Sequence, residues 1–274
     1  MKASVIFSTY NAVEWLEKVI IGFDNQTERD FEIVIADDGS DEKTKAKIDS
    51  LRTQISIPIK HVWQEDDGFQ KTKILNKAIL ASSSDYLIFT DGDCIPRKDF
   101  VATHLKYRET NCFLSGGYFK LSMATSKAIT PENIKNQDCF SISWLLKNHM
   151  KFNLKFIKLL PSKLITSILN ALTPTTPSWN GHNASAYKAD LVKVNGFNND
   201  MKYGGEDREL GERLINSGLK SKQIRYFAIC VHLDHARGYV SEEVWKKNNE
   251  IRENTQKNKV TLTPNGISNV SYSE

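Results

Sequence analysis

Apolar positions in the N-terminal part of the chain follow two alternating rhythms. Ser4–Ser8 (SVIFS), Phe31–Ala36 (FEIVIA), Ile57–Trp63 and Tyr86–Thr90 are short runs rich in β-branched and aromatic residues and read as strands. Between them, Ala12–Phe23 sets Val13, Leu16, Ile20 and Phe23 on one helical side. A charged helix starts at Glu42, and Lys71–Ala81 again has helical spacing. Strands and helices alternating at these lengths predict β-α-β units on a parallel sheet. The unbroken apolar runs fit strands covered on both faces. The expected fold class is α/β, with a mixed, mostly parallel central sheet flanked by helices.

The rhythm changes after residue 144, where the chain reads WLLKNHMKFNLKFIKLLPSKLITSILNAL through residue 172. Lys147, Lys151, Lys155, Lys158 and Lys163 interrupt the apolar residues, and Pro161 should break or kink a helix. The pattern suits an interfacial helix at a membrane surface and equally a solvated amphipathic helix over the core. Residues 173–178 (TPTTPS) read as a loop, Arg208–Ser217 as a helix and Tyr226–His232 as a strand. The polar residues after Lys246 are expected to be mobile. No apolar run is long enough for a transmembrane helix, and no internal repeat is found.

Composition narrows the classes. The chain has 274 residues, enough for one large domain or two small ones, and a net charge of +4. That charge is too mild to imply a nucleic-acid partner, although it permits a local basic face. Cys94, Cys112, Cys139 and Cys230 show no C-x-x-C spacing, so neither a zinc ribbon nor a redox motif is indicated. A disulfide scaffold is not expected at this size. MKASVIFSTYNAVEWL shows no signal peptide, and a reducing, cytoplasmic location is expected.

Three constellations could carry chemistry. Asp37-Asp38 and Asp91-Gly92-Asp93 each follow a strand, so both acidic pairs fall on the ligand-binding rim of a parallel sheet. Crowded carboxylates need a cation or a proton between them, and hard oxygen ligands suit Mg2+ or Mn2+ with a diphosphate. A D-x-D is also an ordinary turn; the strand before it and the second acidic pair favour function. Tyr203–Asp207 (YGGED) opens a helix, where an acid either stabilises the first turn or accepts a proton from a hydroxyl nucleophile. His232 and His235 follow the last strand as core imidazoles or as metal ligands.

Together STYN, ADDGSD, EDDGFQKTKILNKAI and FTDGDCIP resemble the glycosyltransferase family 2 pattern on a GT-A (Rossmann-like) fold, over most of residues 3–110. Asp67-Gly68-Phe69 with Asn76 downstream is similar to the amino-terminal transferase domain of bacterial chondroitin-type polymerases. NGFNNDMKYGGEDREL followed by HLDHAR is similar to the carboxyl-terminal segment of galactosyl- and N-acetylgalactosaminyltransferases. The resemblance implies Thr9 and Tyr10 beside a nucleotide, and Asp37 or Asp38 on its uracil or ribose. Asp67, Gly68, Phe69, Asn76, Asp91, Gly92, Gly205 and Arg237 join the substrate-binding set. It implies Asp93 as the main metal ligand, with Asp91, and prefers His235 over His232. Asp207 matches the catalytic base, Glu206 would hold sugar hydroxyls, and Tyr203 would pack on sugar. Trp179 either stacks on a sugar or packs in the core, and Asn180 or Asn183 would bond acceptor hydroxyls. One position departs: relatives often carry Arg before the Asn aligned with Asn76, and this chain has Leu75. The missing contact would fall to Lys71 or Lys73.

These roles imply an inverting transferase that uses Mn2+ or Mg2+. It would move a hexose or N-acetylhexosamine, galactose type favoured, from a UDP-sugar donor to a saccharide or lipid-linked saccharide acceptor in bacterial surface polysaccharide or lipopolysaccharide synthesis. A peripheral contact with the inner face of the cytoplasmic membrane would follow from the 144–172 segment. The expected division is 1–110 for the nucleotide-sugar half, 111–245 for the acceptor-binding and catalytic half, and 246–274 for a polar tail. A nucleotidyltransferase is the rival enzyme, but STYNAVEW lacks the glycine- and basic-rich triphosphate loop it needs. A non-catalytic carbohydrate-binding protein on the same fold need not keep both D-x-D and G-G-E-D.

Overall fold

The computed structural model describes residues 1–160, 162–235 and 241–272, and residue 163 by its backbone only. Pro161 and Arg237, both singled out from sequence, lie outside the described residues. The first elements are β1 (Ala3–Thr9), α1 (Val13–Asp24), β2 (Phe31–Asp37), α2 (Glu42–Gln54), β3 (Ile59–Trp63), α3 (Lys71–Ala81) and β4 (Tyr86–Asp91). They follow the alternation predicted above. Next come β5 (Cys94–Pro96), α4 (Phe100–Tyr107), β6 (Cys112–Ser115), β7 (Gly117–Lys120), α5 (Met123–Ala128), α6 (Pro131–Lys135), α7 (Ile142–Lys147) and α8 (Lys163–Leu172). The chain continues through β8 (Ala184–Tyr187), α9 (Lys188–Lys193), α10 (Glu206–Asn216), β9 (Lys220–Gln223), β10 (Ile229–His232) and α11 (Glu242–Lys257).

Seven strands form the central sheet in the order β3-β2-β1-β4-β8-β6-β9. The pairs among β1 to β4 are parallel, β8 runs antiparallel to both its neighbours, and β6 pairs β9 in parallel. The fold is therefore α/β with a mostly parallel sheet. Alternate side chains of β1 feed the two faces: Val5 and Phe7 pack with Leu16, Ile20 and Phe23, while Ile6 packs with Ile74, Ala78 and Phe89. Each fully buried Val, Leu, Ile or Phe among them contributes about 1.5–3 kcal/mol. A second sheet, β5-β10-β7, stands beside the end of β4; its three- and four-residue strands are too short to announce themselves in sequence.

Residues 246–272 pack against the rest of the chain through α11 and the segment that follows it, which corrects the expectation of a mobile tail. Asn248 is buried and donates to the carbonyls of Lys202, Tyr203 and Gly204. Arg252 pairs with Glu212, and buried Thr255 donates to Glu209. Polarity misleads here because α11 is held by hydrogen bonds rather than by an apolar stripe. Under it, Arg213 and Glu209 form a fully buried pair at 2.8 Å, and Arg213 also donates to the carbonyls of Val194 and Gly196. α10 is thereby tied both to α11 and to the turn after α9.

The centre is pinned by a buried polar chain. The Asn183 amide nitrogen donates to the carbonyls of Gly117 and Ala228, so its Oδ1 is the acceptor that faces His104 Nε2 at 2.9 Å. His104 is thus the Nε2–H tautomer, and its Nδ1 accepts from Ser185, 2.7 Å away. Burial lowers the His104 pKa to about 4. The depressed value means that the unfolded chain takes up the proton first. Stability from this residue is complete above the unfolded value of about 6.5 and is lost as pH falls toward 4, on the order of 3 kcal/mol in all. Urea unfolding across that range should show the loss in the wild type and a flatter profile in His104→Gln.

Candidate active site

The carboxyl edge of the sheet assembles the site. β1 pairs Thr9 with Asp37 and Ser8 with Asp91, so the two acidic segments flank the end of one strand. After Asp91 the chain turns against β1: Gly92 N donates to Ser8 O at 3.1 Å, and a Cβ on Gly92 would lie 2.5 Å from that oxygen. Only glycine fits between the two aspartates. Asp93 then leads into β5, which pairs antiparallel with β10 so that Cys94 faces His232. This register brings His232 Nε2 to 3.6 Å and His235 Nε2 to 3.1 Å from Asp93 Oδ2.

The cluster passes a simple geometric test for a divalent ion. Octahedral ligands at about 2.1 Å from a metal lie about 3 Å apart, close to these separations. Asp93, Cys94 and His232 ligand atoms also lie within 4.8 Å of one another. Burial, followed by the Cys230 thiol and the neighbouring aspartates, pushes the Cys94 thiol well up, so it stays protonated in the core. Asp93 and the two imidazoles are the fitting donor set. His235, preferred from sequence, is the nearer and more open of the two, and His232 lies farther from Asp93, at 3.6 Å against 3.1 Å.

Beside this cluster Lys71, at the first position of α3, is surrounded by acids. Its Nζ is 3.2 Å from Asp91 and 3.8 Å from Glu206. Burial acts to raise the Asp91 pKa, but Lys71, His182 and His232 outweigh it and hold the carboxyl low. Asp207 behaves oppositely. Burial, then Glu206 and Asp91, push it up to about 7 against the pull of Lys71. It sits in the first turn of α10, entered through Gly204 and Gly205 at φ +106° and +91°. A Cβ on Gly181 would come 2.6 Å from Asp207 Oδ2, so this glycine makes room for the carboxylate. Asp207 Oδ1 is buried and has no hydrogen-bond partner among the described residues.

A cleft of about 800 Å³ opens beside these groups, lined by Thr9, Tyr10, Asp38, Gly68, Phe69, Lys71, Asp91, Gly92, Asp93, Tyr203, His232 and His235 among others, with Glu206 and Asp207 behind its surface. Asp38 accepts from Gln70 N and Gln64 Nε2, yet burial raises its pKa to about 6. Tyr10 donates to Asp66, and the Phe69 and Tyr203 rings meet edge to face across the mouth.

Several residues chosen from sequence lie elsewhere. Trp179 is wholly buried against Phe89 and Phe113 and cannot stack on a sugar. Asn183 is spent on the His104 chain. Asn76, also buried, clamps the backbone of Phe197 through its N–H and C=O, both at 2.8 Å. Asp37 is buried, accepts from Ser40 N and faces His61, which leaves Asp38 as the cleft acid of that pair. Asp67 is exposed and bonds Gln70, while Gly205 lies against Arg252. Glu206 is buried, accepts from Gly204 N and faces Lys71. Sequence reasoning missed Asp66 and His182 and gave Lys71 only a substitute's role. The Asp-Asp run at 66–67 was a signal for the first; nothing in the spacing marks His182.

Residues 4–160 match the family described as glycosyl transferase family 2. The chain belongs to that family. Residues 175–236 of this family 2 chain also match the N-terminal domain of galactosyltransferase. It is 26% identical over 262 residues to the uncharacterized glycosyltransferase YfnE of Bacillus subtilis (strain 168), covering 86% of this chain and 65% of that one. It is 25% identical over 272 residues to the chondroitin synthase of Pasteurella multocida (strain Pm70), covering 91% of this chain and 26% of the synthase. The family 2 chain thus spans only part of these relatives. Among solved structures, GalNAc-T7 with UDP, GalNAc and Mn2+ superposes with a TM-score of 0.64 at 14% identity, covering 92% of this chain and 48% of that one. The mannosyltransferase PcManGT from Pyrobaculum calidifontis, in complex with GDP-Man and Mn2+, gives 0.59 at 20%, covering 87% and 58%. These likenesses show the GT-A fold.

Lys71 neutralises crowded acids, so Lys71→Met should cost about 3–5 kcal/mol at neutral pH, the usual penalty for stripping a buried charge of its partner. Urea unfolding should show that the gap from wild type narrows on acidification, because protonated carboxyls no longer need the ammonium.

Proposed function

We propose that this family 2 chain is an inverting, divalent-metal-dependent transferase. It moves a hexose or N-acetylhexosamine, galactose type favoured, from a UDP-sugar to a hydroxyl of a saccharide or lipid-linked saccharide acceptor, in surface polysaccharide or lipopolysaccharide assembly. The observation that carries the reading is the convergence of Asp93, His232 and His235 at one end of a cleft that has Asp207 beside it. The galactosyltransferase match over residues 175–236 and the UDP and Mn2+ bound by GalNAc-T7 support the donor class.

Asp93 and the two imidazoles would hold the metal, with Asp91 next to them. The mixed oxygen and nitrogen set favours Mn2+ over the strictly oxygen-seeking Mg2+. When bound, the metal supplies Lewis-acid neutralisation of the diphosphate leaving group. The chain's own groups do the rest. Thr9, Tyr10 and Asp38 line the part of the cleft assigned to the nucleoside, where a carboxylate can accept from the uracil N–H or a ribose hydroxyl. Lys71 holds Asp91, Glu206 and Asp207 in one place and adds positive charge to the same wall. Asp207, with one oxygen lacking a donor, takes the proton of the acceptor hydroxyl as that oxygen attacks the anomeric carbon from the face opposite the diphosphate. The new C–O bond forms as the old one breaks through an oxocarbenium-like state. One displacement inverts the centre.

Calorimetric titration of UDP with Mn2+, and then with EDTA, tests the donor side. Metal-dependent binding that disappears in Asp93→Ala is expected; equal binding with and without metal would remove the metal role. Asp207→Asn should lower turnover of the UDP-sugar by about 100- to 10,000-fold, the usual worth of a general base, with UDP binding nearly unchanged. Normal turnover in that variant would end the assignment of Asp207 as base.

A further inference from the structure

Between Asp138 and Asp190 the chain contains no acidic residue, but it carries Lys147, Lys151, Lys155, Lys158, Lys163 and Lys188. Within this stretch α8 is set inside out. Its buried residue is Thr166, and the Asn170 side chain turns inward to accept from Tyr226 N, while the Asn170 carbonyl accepts from Gln223 Nε2. Apart from half-buried Leu169, its leucines and isoleucines face solvent: Leu164 is 71% and Leu172 74% exposed, with Ile165 and Ile168 also open. Leu164, Ile168 and Leu172 are four residues apart, one stripe about 12 Å long. A helix that covers a core presents the opposite faces. The preceding segment adds Phe152 at 73% and Leu154 at 88%, interleaved with exposed Lys147, Lys151 and Lys155.

No helix among the described residues is long and apolar enough to cross a membrane. An apolar stripe with a basic surround and no acid is the pattern of a face that lies on a bilayer. We propose that residues 144–160 together with α8 form a docking surface for anionic lipid, with the exposed Phe152, Leu154, Leu164, Ile168 and Leu172 side chains entering the interface and Lys147, Lys151 and Lys155 meeting headgroup phosphates. Charge decides between occupants. A second copy docking through the same patch would set lysines against lysines, because a twofold interface pairs a surface with itself, whereas an anionic leaflet attracts each of them. The surface also adjoins the cleft: Lys158 donates to Tyr118 O, and the Tyr118 ring lies 5.9 Å from the His232 ring. The proposal is independent of the donor sugar and of the metal.

Co-sedimentation with phosphatidylcholine vesicles, with and without phosphatidylglycerol, tests it. The wild type should sediment only with the anionic vesicles. The triple variant Lys147→Glu, Lys151→Glu, Lys155→Glu should weaken partitioning by roughly 100-fold, and added salt should weaken that of the wild type. Leu164→Ser with Leu172→Ser should also release the protein. Both variants change exposed side chains, so circular dichroism melts and UDP titrations should match the wild type and exclude misfolding. Failure of the wild type to sediment with anionic vesicles overturns the proposal, as does sedimentation unchanged in both variants. A dimer seen by velocity sedimentation and dispersed by the leucine substitutions gives the face to a second copy and overturns it too.

Discussion

Three carboxylates gather around one ammonium at the edge of the cleft, and the rest of the site depends on that imbalance. Asp91, Glu206 and Asp207 come from two elements far apart in the chain, and like charges this close repel unless something positive lies among them. Lys71 is that positive group. It also joins the N-terminus of α3 to the end of β4 and the start of α10, so one side chain connects the β1–β4 part of the sheet to the helix that bears Asp207. Burial, aided by the acids that Lys71 leaves uncompensated, raises the Asp207 pKa to about 7. A group poised there can both hold and release a proton.

The cluster of Asp93, His232 and His235 depends on register rather than on a compact motif. His232 lies opposite Cys94 because β10 pairs antiparallel with β5, and Leu233 N donates to Asp93 O. A slip of one residue would turn the imbalance of faces around and send the imidazole to the other side of the small sheet. The histidines and the D-x-D are therefore one structural unit despite their distance in sequence.

Much of this was legible before the structure. Strands in a parallel sheet are written as plain apolar runs, so β1, β2 and β4 and their helices could be read directly, and with them the rim where Asp91 and Asp93 stand. What escaped reading was whatever depends on partners distant in sequence. Trp179, Asn183 and Asn76 carry residue types that suit sugar binding, yet each is consumed by the interior: Trp179 by two phenylalanines, Asn183 by His104 and two carbonyls, Asn76 by the backbone of Phe197. Composition cannot tell an amide that faces a ligand from one that replaces a missing backbone hydrogen bond. α11 was misjudged for the same reason, since polarity without an apolar stripe looks like a tail until its bonds to Glu209 and Glu212 are seen. Lys71 looked like any first-turn lysine, because its three acidic neighbours converge on it only in three dimensions.

The position of β8 bears on how the protein is made. This strand is inserted between β4 and β6, antiparallel to both, and it emerges from the ribosome long after β4. Until residues 184–187 arrive, the nascent sheet ends at β4, an apolar strand with an open row of backbone donors and acceptors. Such an edge invites pairing with another chain, and the non-local closure that removes it is intrinsically slow. A fragment that stopped at residue 160 would hold the cleft-lining residues at the ends of β1 and β2 and still be prone to aggregate, because the strand that seals the sheet is encoded in the other half of the sequence.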